Sequence, residues 1–234
     1  LLFPPAGSLP PESTRDPRVG ERILEKYFRV SEQQRDYLKD ASMEVDIVGH
    51  LPSMKKSGRL SALRKISRLG EITYRAVTFQ GDNAVKRDVI ARYMTAEQEA
   101  YKRASGLGVT RENYRFKYYG SDGEGFWTLH LFEITPRRKH PGLFEGWMWI
   151  HEGTGLPVRE QGRLAKSPSV FLKKVEFIRD YDIRSGYAVP SHLSSVVTTR
   201  VIGEAELEIT FRNFRRASEE EEPRRAASWS DSGH

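Results

Sequence analysis

No cysteine occurs in the 234 residues. That excludes disulfides, thiolate zinc sites and a cysteine nucleophile, and leaves the cellular compartment open. No run approaches the roughly 18 to 20 apolar residues that cross a bilayer as a helix. Familiar catalytic patterns are missing as well. There is no Gly-x-Ser-x-Gly elbow and no His-Glu-x-x-His pair, and Glu152-Gly153-Thr154-Gly155 lacks the Lys-Ser/Thr ending of a phosphate loop. None of the six histidines stands at metal-ligand spacing. His130 and His151 fall on strands expected to be neighbours and read as partly exposed strand residues. Asp180 and Asp182 alternate on one strand face with nothing to shield them from water. These absences point away from an enzyme and from a bound cofactor.

What the chain has is a dense mixed surface. It carries 38 basic and 32 acidic residues, so 38 − 32 gives a formal net charge of +6. That bias permits contact with nucleic acid, anionic lipid or acidic protein and selects none of them. Lys55, Lys56, Arg59, Arg64, Lys65, Arg68 and Arg75 fall within about two predicted strands. The aromatics that a single-strand nucleic-acid platform interleaves with its cations come only at the end of that run, at Tyr74 and Phe79. Nucleic acid is therefore not expected as a partner.

Periodicity divides the chain. Residues 1–17 are a proline-rich leader, 18–216 a single domain, and 217–234 a charged, serine-rich tail too polar to fold alone. The opening Leu1-Leu2-Phe3-Pro4-Pro5-Ala6 fits the trimmed end of an export signal or an arbitrary boundary. From Pro17 the apolar residues Ile23, Leu24, Tyr27, Phe28, Val30 and Leu38 recur at helical spacing. Alternation then predicts strands at 43–47, 58–68 and 71–80. A helical stretch over 84–104 follows, interrupted where Thr95 and Gln98 read as a capping box that restarts it. Further strands are predicted at 114–119, 126–135, 144–152, 156–164, 171–183, 187–202 and 205–214.

Side chains alternate across a strand, so each strand can be asked which face is dry. Phe144, Met148 and Ile150 oppose Glu145, Trp147, Trp149 and His151. Phe171, Val175, Phe177, Tyr181 and Ile183 oppose Lys174, Glu176 and Asp180. Leu207, Ile209 and Phe211 oppose Glu206, Glu208 and Arg212. The strand at 126–135 is apolar on both faces, and Phe132 and Ile134 are assigned inward. The fold class is therefore α+β, mainly β, an antiparallel sheet wet on one face with helices covering the other. The candidate ligand-lining set is Phe132, Ile134, Phe144, Met148, Ile150, Val175, Phe177, Leu207, Ile209 and Phe211. Trp147 and Trp149 fall on the wet face, either packed under a loop or the leader or marking a contact.

The order of parts also resembles a known family. After the first helix, the meander and the broken helix come Leu131-Phe132-Glu133-Ile134-Thr135-Pro136, Trp149-Ile150-His151, Thr154-Gly155-Leu156-Pro157-Val158-Arg159 and Ile209-Thr210-Phe211-Arg212-Asn213-Phe214. Over residues 20–215 this is similar to the outer-membrane lipoprotein-sorting family, the LolA/LolB-like periplasmic carriers and their relatives. The resemblance implies a strongly curved, unclosed half-barrel whose apolar concave side is lidded by helices. It further implies a periplasmic protein that binds lipid or the acyl chains of lipoproteins, with membrane-associated donor or acceptor proteins as partners, or that senses envelope state. Soluble carriers of that family hold the lid through an arginine in an early strand; the basic run offers several, and none is singled out. The receptor type begins at a lipidated cysteine, which this sequence lacks. The rival expectation is a structural or assembly subunit of the same fold whose concave side is filled.

Overall fold

The computed structural model describes residues 15–103, 108–167, 172–200 and 203–217, the side chains of 100–103 excepted. Most of the expected leader and nearly all of the expected tail lie outside the described residues, as does Phe171.

Among the described residues ten strands form one antiparallel sheet: β1 (Ala41–Leu51), β2 (Lys56–Ile66), β3 (Ile72–Gly81), β4 (Tyr114–Asp122), β5 (Leu129–Pro136), β6 (Phe144–His151), β7 (Pro157–Leu164), β8 (Leu172–Arg184), β9 (Tyr187–Thr199) and β10 (Glu204–Arg216). Their order is β3-β2-β1-β10-β9-β8-β7-β6-β5-β4. The first strand pairs with the last, from Ala41 opposite Arg216 to His50 opposite Glu206. β3 and β4 are the two edges and do not pair, so the sheet curls without closing. Register shifts at Ser42/Glu44, Ser61/Ala62, Tyr118/Gly120 and Asp180/Tyr181 insert bulges that sharpen the curl. Pro190, which has no N–H to give a ladder, stands opposite Tyr181 at the last of these.

The concave face is the dry one. Met43, Val45 and Ile47 of β1 alternate with half-buried or exposed neighbours, and Leu207 and Ile209 of β10 continue the apolar row beside them. Two helical segments cover this face. Helix α1 (Pro17–Tyr37) starts where Asp16 accepts a hydrogen bond from the Arg18 N–H at 2.9 Å, with Pro17 in the first turn. It buries Ile23, Leu24 and Tyr27 and crosses from β4 to the β8–β9 hairpin. Gly20 permits that crossing, because a Cβ there would stand 2.7 Å from the Tyr118 ring. The far end is fixed by Gln34, which exchanges hydrogen bonds with the Ala188 backbone at 2.6 and 2.8 Å, and by Tyr37, stacked on Tyr187 at 3.6 Å.

The second segment corrects the expected helix restart. Asp82 caps a short α2 (Asn83–Val85), a π-helical turn follows at Lys86–Ile90, and α3 (Ala91–Arg103) continues without a new cap. Thr95 lies inside α3, and Gln98 donates to the Ile72 carbonyl at 3.0 Å instead of reaching back to a helix start. The interruption is the wide turn itself, which lets Val85, Val89 and Ile90 all bury against the sheet. Gly49 on β1 leaves space for them; a Cβ there would come 2.9 Å from Val85.

Candidate functional site

Under α3 the concave face is not filled. A cavity of about 450 Å³ lies between Val89 of the π-helical turn with Tyr93 and Ala96 of α3 on one side and the inner sides of β8, β9 and β10 on the other. The sheet contributes Val175, Phe177, Leu193, Val197, Ala205 and Leu207, with Phe144 and Leu164 closing the side toward β6 and β7. Inward positions carry Ser195, Thr199 and Ala205, side chains too short to reach the helix. The volume falls within the roughly 300–1,000 Å³ of ordinary small-molecule pockets. A second hollow of about 970 Å³ continues beneath α1, between Tyr27, Gln34 and Leu38 on one side and Leu156 of the β6–β7 turn and Ala188 of β9 on the other. Gly108, Val109, Glu160 and Arg179 line both spaces and mark their junction.

Two charge clusters interrupt this apolar surface. In one, Arg64 of β2, its side chain only 6% exposed, donates from Nη2 and Nε to Glu97 of α3 at 3.0 and 3.3 Å. The Tyr74 hydroxyl donates to the same carboxylate in a short hydrogen bond. Burial alone would lower the Arg64 guanidinium; the adjacent Glu97 carboxylate more than offsets it and the net shift is upward, so the cation persists. Burial, then Glu97, pushes the Tyr74 phenol up, keeping it a donor. In the other cluster, Arg179 of β8 stands opposite Glu160 of β7 and donates to it at 3.1 Å, while the Tyr181 hydroxyl donates to Glu160 at 2.9 Å.

No family model and no curated protein matches the chain. Among solved structures it is similar to a DUF1329 family protein from Desulfovibrio piger, at 11% identity and TM-score 0.45, over 84% of this chain and 92% of that one. It is similar to a domain described as outer membrane lipoprotein-sorting from Vibrio parahaemolyticus, at 12% identity and TM-score 0.41, over 86% and 94%. A LolA superfamily protein from Nitrosomonas europaea follows at 10% identity and TM-score 0.35, over 84% and 92%. The family that the sequence resembles is thus among the structures the chain is similar to.

The ten candidate lining residues separate into groups. Phe144, Val175, Phe177 and Leu207 line the cavity. Phe132, Ile134, Met148, Ile150 and Ile209 point to the same face but are sealed in the packed core, and half-buried Phe211 packs against that core. Parity also marks Arg179. Arg179 is two residues from Phe177 on the face read as dry, a charge in an apolar row. Arg64 was one of seven basic residues with nothing in the sequence to distinguish it; its partner Glu97 comes from a helix 33 positions away.

His130 and His151 do come near one another, and each has its own role. His130 is buried between the Tyr118 hydroxyl, 2.9 Å from Nδ1, and the Glu152 carboxylate, a short hydrogen bond from Nε2. Arg22 of α1 pairs with Glu152 at 3.1 Å, and Lys26 donates to the Glu152 and Gly153 carbonyls, both at 2.6 Å. This cluster ties α1 to the β6–β7 turn. Burial, outweighing Glu152, lowers the His130 pKa from its ordinary 6.5. His151 lies against the rings of Phe126 and Trp127, with Thr154 3.2 Å from its Nδ1. On the outer face, half-buried Trp147 meets Tyr119 edge-on at 4.9 Å, and Arg15 just before α1 donates to the Tyr119 carbonyl at 3.2 Å.

Proposed function

We propose that this chain is a periplasmic carrier or sensor that holds an acyl chain, of a lipid or a lipoprotein, in the cavity under α3, and that it acts by burial without bond chemistry. The observation that carries the reading is a space of about 450 Å³ walled by Val89, Val175, Phe177, Val197, Ala205 and Leu207. A filled-core structural subunit would place large side chains there. Each methylene moved from water into such a space contributes about 0.8 kcal/mol, so an acyl chain of about a dozen carbons gains on the order of 10 kcal/mol before ordering costs. Membrane-associated donor or acceptor proteins would supply and receive it.

Release follows from how the roof is attached. The helix packs over the cavity through Tyr93 and Ala96, and the Arg64–Glu97 pair bolts it to β2. Lifting α3 breaks a buried ion pair, which separates slow leakage from triggered opening. The test is native mass spectrometry of the protein purified from its own envelope, paired with a fluorescent fatty-acid probe and the variant Ala205→Trp. Co-purified lipid or acylated protein and saturable probe binding are expected. Ala205→Trp, folded by circular dichroism, loses both. No bound lipid together with probe binding unaffected by Ala205→Trp would sink the proposal.

A further inference from the structure

We infer that Arg179 reads the head of the bound amphiphile, and that the cavity selects acyl groups by their carbonyl oxygens rather than accepting any alkyl chain. The inference rests on the cavity being an acyl-chain site and adds what that site recognises. The strand register sets Glu160 opposite Arg179, with Met148 and Leu193 as the next residues of the same row on β6 and β9. A charge pair set into a mainly apolar wall costs desolvation on both partners, so it calls for an explanation.

The pair is lopsided. Glu160 has a side chain only 8% exposed and is already served by Arg179 and Tyr181, whereas the Arg179 side chain is 41% exposed. Both hydrogen-bonding contacts of Arg179, to Glu160 at 3.1 Å and to the Tyr181 hydroxyl at 3.4 Å, use Nη1. Nη2 and Nε make no hydrogen bond among the described residues. The Phe177 ring lies 5.3 Å from the guanidinium carbon and supports it from one side. Glu160 and Tyr181 therefore hold the guanidinium through Nη1, on a side chain that lines both spaces.

Its position gives those donors a use. Arg179 stands where the apolar cavity under α3 passes into the larger hollow beneath α1. A single chain laid in the first space with its tail toward Val175, Val197 and Ala205 brings its first carbon to Arg179. A carboxylate or an ester or amide carbonyl there accepts from Nη2 and Nε; a head without acceptor oxygens leaves both donors unpaired.

Calorimetric titration of the full chain with myristate, methyl myristate and tetradecyltrimethylammonium, each below its micelle-forming concentration, tests this. The two acyl ligands are expected to bind about tenfold or more tightly than the ammonium. In Arg179→Met/Glu160→Gln, which leaves no buried carboxylate without its partner, that advantage disappears and ammonium binding changes less than about twofold. Arg179→Lys, with charge but no fork, retains only part of it. Myristate ahead of its ester identifies free fatty acid as the source, and equal binding identifies esterified or amide-linked chains; either upholds the inference. Equal binding of all three by the wild type, or an unchanged preference in the double variant, overturns it and leaves the acyl cavity standing. Binding of none overturns both.

Discussion

The two halves of the concave face obey the same alternation and end differently. Toward β4, β5 and β6, the inward residues Tyr114, Phe132, Ile134, Met148 and Ile150 are large, and all are fully buried in the shared core. Toward β8, β9 and β10, the inward positions include Val175, Ser195, Val197, Thr199 and Ala205, and a cavity remains beneath α3. An apolar inward face is the same signal in both, and residue volume separates them. A dry face is thus a necessary sign of a ligand site, and the summed size of its side chains against the helix above decides whether space is left.

The widest contrast comes from truncating a residue in each half. Phe132→Ala is expected to cost about 3–5 kcal/mol in denaturant unfolding, because it opens a cavity in a sealed core. Val175→Ala, at a wall that already faces space, is expected to cost under about 1.5 kcal/mol. Equal losses would mean that the halves are not differently packed. Next in size is the bolt on the roof of the hollow half. Glu97→Gln keeps the shape and removes the charge facing Arg64, with an expected cost of about 1–3 kcal/mol and faster probe exchange. Unchanged exchange would show that α3 is not the moving part.

The smallest effect belongs to the packed half and depends on pH. Burial lowers the His130 pKa below 6.5, so the folded state favours the neutral ring. The unfolded chain binds the extra proton more readily. Stability from this group is therefore complete above about pH 6.5 and falls as pH drops through 6.5 toward the lower native value, by at most about 1.4 kcal/mol per pH unit. Amide exchange in the turn at 152–155, which Lys26 and Arg22 hold to α1, should quicken over that interval. His130→Gln should flatten the dependence; an unaltered profile would assign it to another group.

Much of the fold was legible because alternation is a local property. The faces of β6, β8 and β10 follow from parity, and the start of α1 from Pro17. Contacts between distant segments were not. Nothing near Ala41 announces that its strand pairs with the one ending at Arg216. The π-helical turn at Lys86–Ile90 is imposed by what Val85, Val89 and Ile90 must bury, and Thr95 misled because a capping pattern has no force once the helix runs through it. At the site, apolar lining residues could be proposed from pattern but not divided into core and cavity, since that division depends on the helix overhead. Arg179 shows the reverse case: its signal was present in the parity of β8 and was outweighed by the apolar residues around it.

The pairing of β1 with β10 has a consequence in time. The strand that joins β1–β3 to β4–β9 is the last described one, thirteen residues supplying Ala205 and Leu207 to the cavity wall. Until those residues arrive, β1 and β9 are both open edges, and the roof helix has a floor with its middle plank missing. Contacts this far apart in sequence form slowly. The binding site is accordingly a product of completed folding, and a chain cut short before Glu204 would keep most of its strands and have no cavity to fill.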